Sequence, residues 1–119
     1  FVLAVQIDAV ESLFSAPLFV NYDPVRLSLV GLEEGGFLRK GDQQAIFSSN
    51  QKKEAGQVVV GYKQADGQLG ASGSGTLFSM RFRAQAAGSA LVALNRLNFR
   101  DPQGSRLSVD AADARIEIR

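Results

Sequence analysis

The sequence predicts an all-β protein, an antiparallel β-sandwich, and three observations predict it. Apolar and polar residues alternate with period two in short blocks, the spacing that sends successive side chains to opposite faces of a strand. Gly, Pro, Asp and Asn separate the blocks roughly ten residues apart, the rhythm of strands and turns in a sandwich. Helical patterning is confined to residues 9–14, with room for one turn, and to Ala86-Ala87, which Gly88 stops at once.

The elements follow in order. Phe1, Leu3, Val5 and Ile7 alternate with Val2, Ala4, Gln6 and Asp8, a half-buried strand. Ala16, Leu18, Val20 and Tyr22 take the core side of a second strand and leave Pro17, Phe19 and Asn21 outside. Asp23-Pro24 breaks it, because Pro fixes φ and lacks a donor while an Asp side chain accepts from nearby amides. A third strand runs through Leu27, Leu29 and Leu32 to Glu33-Glu34-Gly35-Gly36, after which Phe37-Leu38 pins the next loop to the core. Residues 44–49 form a fourth, carried by Ala45-Ile46-Phe47, and Gln57–Gln64 a fifth. Residues 77–85 place Phe78, Met80, Phe82 and Ala84 on one side and Leu77, Ser79, Arg81 and Arg83 on the other. Gly88 opens a strand carrying Ala90, Val92 and Leu94, and the turn Asp101-Pro102-Gln103-Gly104 precedes a short strand through Leu107 and Val109. Residues 114–119 turn Ile116 and Ile118 inward and show Arg115, Glu117 and Arg119 to water, charges that suit a sheet edge. The polar stretches 39–44 and 50–56 read as loops.

Burial energetics assign the inward residues to a core. Ordering a residue costs roughly 1–2 kcal/mol, and burying a large apolar side chain returns about 1.5–3 kcal/mol. A chain of 119 residues fits one domain and needs its inward Val, Leu, Ile and Phe buried. It opens on Phe1-Val2-Leu3, and its one methionine is Met80; this reads as a domain taken from a longer protein.

Composition narrows the chemistry. There is no His and no Cys, which removes Ser-His-Asp triads, Cys nucleophiles, thiolate or imidazole zinc sites and iron–sulfur ligation. Lys and Arg number 13 against 12 Asp and Glu, too even a balance for a surface built to hold nucleic acid. No run of about 18 apolar residues marks a membrane-spanning helix. The expectation is a binding module rather than an enzyme, with no cofactor and no metal.

Glycosidase chemistry needs only two carboxylates at a suitable separation. Glu33 and Glu34 are adjacent, so a strand points them to opposite faces, and a solvated turn accounts for them. Asp101, Asp110 and Asp113 with Asn95 and Asn98 have the oxygen ligands a calcium ion requires. Asp101 is already explained by its β-turn, however, and no dense acidic loop is present. Ala71-Ser72-Gly73-Ser74-Gly75 leads into a strand and not a helix, so it is no phosphate cradle; it reads as a flexible or bulged approach to that strand. Outward Phe19, with Pro17, Asn21 and Ser15 on its side, and the row Leu77, Arg81 and Arg83 have the aromatic and Arg content of protein contact surfaces.

Ser15-Ala16-Pro17-Leu18-Phe19-Val20-Asn21-Tyr22-Asp23-Pro24, then Leu27, Gly35-Gly36-Phe37-Leu38, Gly73-Ser74-Gly75-Thr76-Leu77-Phe78, Phe82-Arg83-Ala84 and Ala87-Gly88 resemble the cohesin family over essentially the whole chain. The chain is most similar to cohesin-like domains of bacterial envelope proteins, including some associated with secretins and with pilus or type II secretion components. The resemblance implies a β-sandwich with jelly-roll topology and a protein-binding habit. It also implies one more strand before the segment equivalent to residues 1–8. Cellulosomal cohesins hold dockerins partly through an Asn and an Asp just before the Tyr-Asp-Pro strand. Those places are Ser15 and Pro17 here, so dockerin recognition itself is not implied.

The resulting expectation is a periplasmic or extracellular interaction module that binds a protein partner (envelope, secretion or dockerin-like) through one sheet face. Its candidate contacts are Ser15, Pro17, Phe19, Asn21, Ala71, Ser72, Ser74, Leu77, Arg81 and Arg83. The alternatives are a polysaccharide-binding module, for which only Phe19, Tyr62 and Phe99 offer aromatic surface, and a passive spacer. The absence of Trp counts against the first of these.

Overall fold

Alternation is realised as two antiparallel sheets. The computed structural model describes residues 1–112 and 114–118. Its strands are β1 (Val2–Leu13), β2 (Leu18–Tyr22), β3 (Leu27–Glu34), β4 (Ala45–Lys52), β5 (Gln57–Gln64), β6 (Ala71–Ala84), β7 (Gly88–Asn95) and β8 (Ala114–Ile118). A three-stranded sheet in the order β1-β6-β3 faces a five-stranded sheet in the order β4-β5-β2-β7-β8. The chain crosses repeatedly from one sheet to the other, the jelly-roll arrangement expected.

The core lies between the sheets. Leu18, Val20, Val58, Val60, Ala90 and Val92 face Leu27, Leu29, Met80 and Phe82, all buried. Aromatic rings meet edge to face, Tyr22 on Phe82 at 5.3 Å and Phe47 on Tyr62 at 5.4 Å, the geometry that ring quadrupoles favour. Phe37 and Leu38 are buried as expected, in a 3₁₀ segment spanning Phe37–Asp42.

Two polar groups are carried into the core with partners. Buried Gln64 donates to the Leu38 carbonyl at 2.8 Å and accepts from the Gly70 amide at 2.8 Å, so neither half of the amide is orphaned. The Tyr62 hydroxyl donates to Glu34 at 2.7 Å, and the same carboxylate is ion-paired with Arg39. Arg39 in turn donates to the Ala45 carbonyl at 2.7 Å. The hydrogen bond from Arg39 holds the Glu34 carboxyl below its ordinary value, with the Tyr62 bond adding to it against partial desolvation. Burial pushes both tyrosine phenols up, and for Tyr62 the bond to Glu34 pushes the same way. Glu34 is thus a member of β3 with two partners, not the solvated turn the sequence suggests.

Several elements differ from expectation. β1 does not stop at Asp8 with a helical turn after it. It runs to Leu13, with register shifts against β6 between Ile7 and Val10 and between Val10 and Leu13. Ala9 and Ser12 take positive φ of 51° and 53° at those shifts, which absorb the extra residues of a bulged strand. β6 starts at Ala71, so the Gly-rich run is itself paired strand, bulged as expected but not a flexible approach. Gly75 is needed there, because a Cβ on it would lie 2.7 Å from the Phe37 ring. Among the described residues the strand proposed through Leu107 and Val109 is absent: the bridge of Arg106 with Arg100, the bond from the Leu107 amide to the Phe99 carbonyl and the packing of Leu107 and Val109 against the core tie that segment down.

Turns follow the sequence closely. Asp23 accepts from the Val25 amide at 3.0 Å and from Arg26 at 2.8 Å. Asp101 accepts from the Gln103 and Ser105 amides, and the Gly104 amide closes the β-turn on the Asp101 carbonyl at 3.0 Å. The Asp101 carboxylate is therefore spent on its own turn. Among the described residues no three acidic side chains converge, and Asp113 and Arg119 lie outside the described residues.

Candidate functional site

The outer face of the five-stranded sheet follows from parity. Leu18, Val20 and Tyr22 of β2 point inward, so Phe19 and Asn21 point out, and ladder register carries the same parity across the sheet. Phe19 pairs with Val59 of β5 and with Asn95 of β7; Asn21 pairs with Gln57 and Ala93. β5 then brings Val59 to the surface beside Asn50 of β4, and Lys63 beside Ile46. On the other flank Leu91 sits beside Arg115 and Ser89 beside Glu117. Strands about 4.8 Å apart give five of them a face roughly 20 Å wide.

At the centre of this face Phe19 lies beside Val59, with Ile46 and Leu91 toward opposite ends. Phe19 is half-buried, with the Arg96 guanidinium 5.0 Å above its ring, a cation–π contact. Ile46 is 66% exposed and Leu91 45% exposed. Asn21 accepts a hydrogen bond from Gln57 at 3.3 Å. Ser15 and Pro17 border the same face on the segment that enters β2. Ser15 is bridged to Lys63 and Arg100, and the Pro17 carbonyl accepts from the Asn98 amide at 3.3 Å.

The remaining expected contacts lie elsewhere. Ala71, Ser72, Ser74, Leu77, Arg81 and Arg83 all belong to β6, in the opposite sheet, so no single sheet face unites them with Phe19 and Asn21. Ala71 and Leu77 are each 2% exposed and are unavailable to a partner. Leu77 turns inward because the register slips by one residue there: Val5 faces Phe78 and Gln6 faces Thr76, which leaves Leu77 as the bulged residue. The serine hydroxyls are occupied by β1: Ser72 accepts from the Ser12 amide at 2.9 Å, and Ser74 accepts from the Ala9 amide at 3.0 Å while donating to Asp8 at 2.6 Å. They satisfy the amides that the bulges release. Arg81 and Arg83 do point outward, as alternation requires, on the outer face of the three-stranded sheet.

Sequence reasoning missed Val59 and Arg96 as neighbours of Phe19, and Ile46, Leu91, Lys52, Lys63 and Arg115 as members of the same face. The phase of Val59, Lys63 and Arg115 was readable from alternation. What alternation does not contain is the lateral order of strands, which alone brings β4, β5, β7 and β8 around β2.

The sandwich is also open along one side. Phe1 and Phe82 exchange a reciprocal pair of backbone bonds, so the alternation of an antiparallel ladder turns the amides and carbonyls of Val2 and Ala4 to the free edge of β1. Beside that edge a mostly apolar cavity of about 210 Å³ lies between the sheets, lined by residues such as Leu3, Ile7, Leu94, Leu97 and Val109, with Asp110 among them.

Two antiparallel sheets in jelly-roll order, with a flat outer face of half-exposed apolar side chains, place the chain among the β-sandwich modules. A family model for the cohesin domain matches residues 1–118, and the chain belongs to the cohesin family. Solved structures agree on the fold. The non-cellulosomal cohesin of the hyperthermophilic archaeon Archaeoglobus fulgidus is 22% identical with a TM-score of 0.83, the match covering 100% of this chain and 80% of that one. The sixth cohesin of Acetivibrio cellulolyticus scaffoldin B, solved with a Cel5 dockerin, is 16% identical with a TM-score of 0.82, covering 100% and 88%. The OlpA cohesin of a type I cohesin–dockerin complex from Clostridium thermocellum is 15% identical with a TM-score of 0.83, covering 100% and 88%. No curated protein sequence matches the chain significantly.

Proposed function

We propose that this chain is a non-catalytic protein-binding module that works outside the cytoplasm and engages its partner through the outer face of the five-stranded sheet. The observation that carries the reading is Phe19, an aromatic ring at the middle of a flat face, covered only in part by Arg96, with Val59 beside it in the ladder. A central aromatic within a polar surround is the usual anatomy of a binding hot spot. That solved cohesins of the same fold are held by dockerins supports a protein as the partner. The envelope, secretion or pilus-related setting is part of the same proposal and rests on the sequence resemblance. No helix among the described residues is long and apolar enough to cross a membrane.

A polysaccharide partner finds little support. Of its three aromatic candidates, Tyr62 is 1% exposed and Phe99 2% exposed, which leaves Phe19 alone.

Partner capture separates the two sheets. Phe19→Asp should abolish capture that Arg81→Glu leaves intact, each variant being checked for folding by its thermal transition. Unchanged capture by a folded Phe19→Asp protein rejects this face.

We also propose that the open edge of β1 is completed by a further strand of the same polypeptide. The unpaired groups of Val2 and Ala4 and the apolar cavity beside them support this, because a strand laid there satisfies both. Hydrogen exchange on the full polypeptide should find the Val2 and Ala4 amides protected; free exchange at both rejects the added strand.

A further inference from the structure

The charges on the five-stranded face are unevenly placed. Across the whole sequence Lys and Arg number 13 and Asp and Glu 12. On this face, however, Lys52, Lys63, Arg96 and Arg115 are all exposed and the described carboxylate among them is Glu117, at the far end of β8. Glu117 accepts from Ser89 at 3.0 Å. Among the described residues the ion pairs are Asp23–Arg26 and Glu34–Arg39, and neither uses one of these four cations. Glu54 stands at the rim, next to Lys53 in the turn after β4.

The cations surround the apolar centre rather than forming a track. Lys52 lies in the ladder row of Asn21 and Gln57, and Lys63 beside Ile46 at the opposite end of β4 and β5. Arg96 covers Phe19, and Arg115 flanks Leu91 on the other side. Charges at the border of an apolar patch steer association and reject like-charged partners more than they add affinity. A nucleic-acid backbone calls for contiguous phosphate contacts, whereas cations dispersed over a face that carries half-buried Phe19 and exposed Ile46 and Leu91 suit a folded partner with apolar side chains of its own.

Building on the sheet-face reading, we propose that this face selects an acidic protein surface: an apolar anchor set against Phe19 and Val59, ringed by Asp or Glu that meet Lys52, Lys63, Arg96 and Arg115. The complex is then sensitive to salt, since exposed charges are screened over about 8 Å at physiological ionic strength.

Backbone amide NMR of the protein, titrated with three probes, tests this. The probes are a synthetic amphipathic helix with Leu anchors flanked by Glu, the same helix with Lys in place of Glu, and a heparin oligosaccharide. The Glu helix should shift amides of β2 and β5 and lose roughly tenfold or more in affinity when salt is raised to about 0.5 M. The Lys helix should leave those amides unmoved, and heparin should bind more weakly than the Glu helix. Lys52→Glu with Lys63→Glu should reverse the preference; Arg115→Glu, on a different strand, should weaken the Glu helix alone. Equal shifts of β2 and β5 by both helices keep the face and overturn the charge selection. Heparin matching the Glu helix overturns the protein partner in favour of a polyanion. Shifts confined to β6, or none from the Glu helix, overturn the face and its selectivity together.

Discussion

β2 and β6 both alternate apolar with polar residues along their exposed stretches, yet one presents its outer row and the other spends much of its own. β2 is five residues long and regular, pairing with β5 and β7 without a register shift. Its parity therefore survives across the sheet and collects Phe19, Val59, Asn21 and Gln57 on one surface. β6 has 14 residues, and its pairing with β1 slips in three places. Each slip re-aims side chains, so Leu77 turns into the core and Ser72 and Ser74 become acceptors for displaced amides. Regular strands keep a surface free; bulged strands consume it.

Mutations at these positions sharpen the contrast, and the largest effect belongs to the bulge. Leu77→Ala should cost about 2–5 kcal/mol, the range for deleting a buried Leu side chain, as read from chemical denaturation. If the residue were a surface contact, the loss would fall within about 0.5 kcal/mol. Ser74→Ala should cost about 1 kcal/mol through the lost bonds to Ala9 and Asp8, and amide exchange at Ala9 should speed up. A Ser74→Ala protein with unchanged exchange at Ala9 would show that the hydroxyl does not restrain the bulge.

Glu34 gives a smaller, pH-resolved effect. Its folded carboxyl titrates below the ordinary value of 4.5, so ionised Glu34 adds stability that is present above that value and is lost as pH falls through the lowered one. Glu34→Gln should flatten the fall in melting temperature between about pH 5 and pH 3, and identical slopes in the two proteins contradict the assigned role. Smallest of all, Phe19→Ala and Arg81→Ala should each change stability by less than about 1 kcal/mol. They should part company in partner capture, which Phe19→Ala alone reduces.

Where alternation is uninterrupted, the reading from residues and the fold coincide. β5 occupies Gln57–Gln64 with the expected faces, and Asp23-Pro24 ends β2 through the side-chain acceptor foreseen for it. Residues 9–14 looked helical because positive φ at Ala9 and Ser12 inserts residues into a strand and breaks its period. The Gly-rich start of β6 reads as an approach to a strand because the Phe37 ring that requires Gly75 comes from the segment after β3, nearly forty residues away in the chain. Leu107 and Val109 alternate yet find no ladder, which shows that a period of two is necessary for a strand but not sufficient. Part of the candidate site was legible for the same reason: Ser15, Pro17, Phe19 and Asn21 lie along one chain segment, whereas the cations on the same face arrive through strand order.

The two buried tyrosines give the molecule a built-in indicator. The chain contains two Tyr and no Trp, and burial raises both phenols above the ordinary value of 10.0. In base an unfolded tyrosine ionises around its ordinary value, while both phenols of the folded sandwich ionise at higher pH. Phenolate absorbance in alkali therefore rises as molecules open, without any label, and it reports from the core rather than from the surface where partners bind.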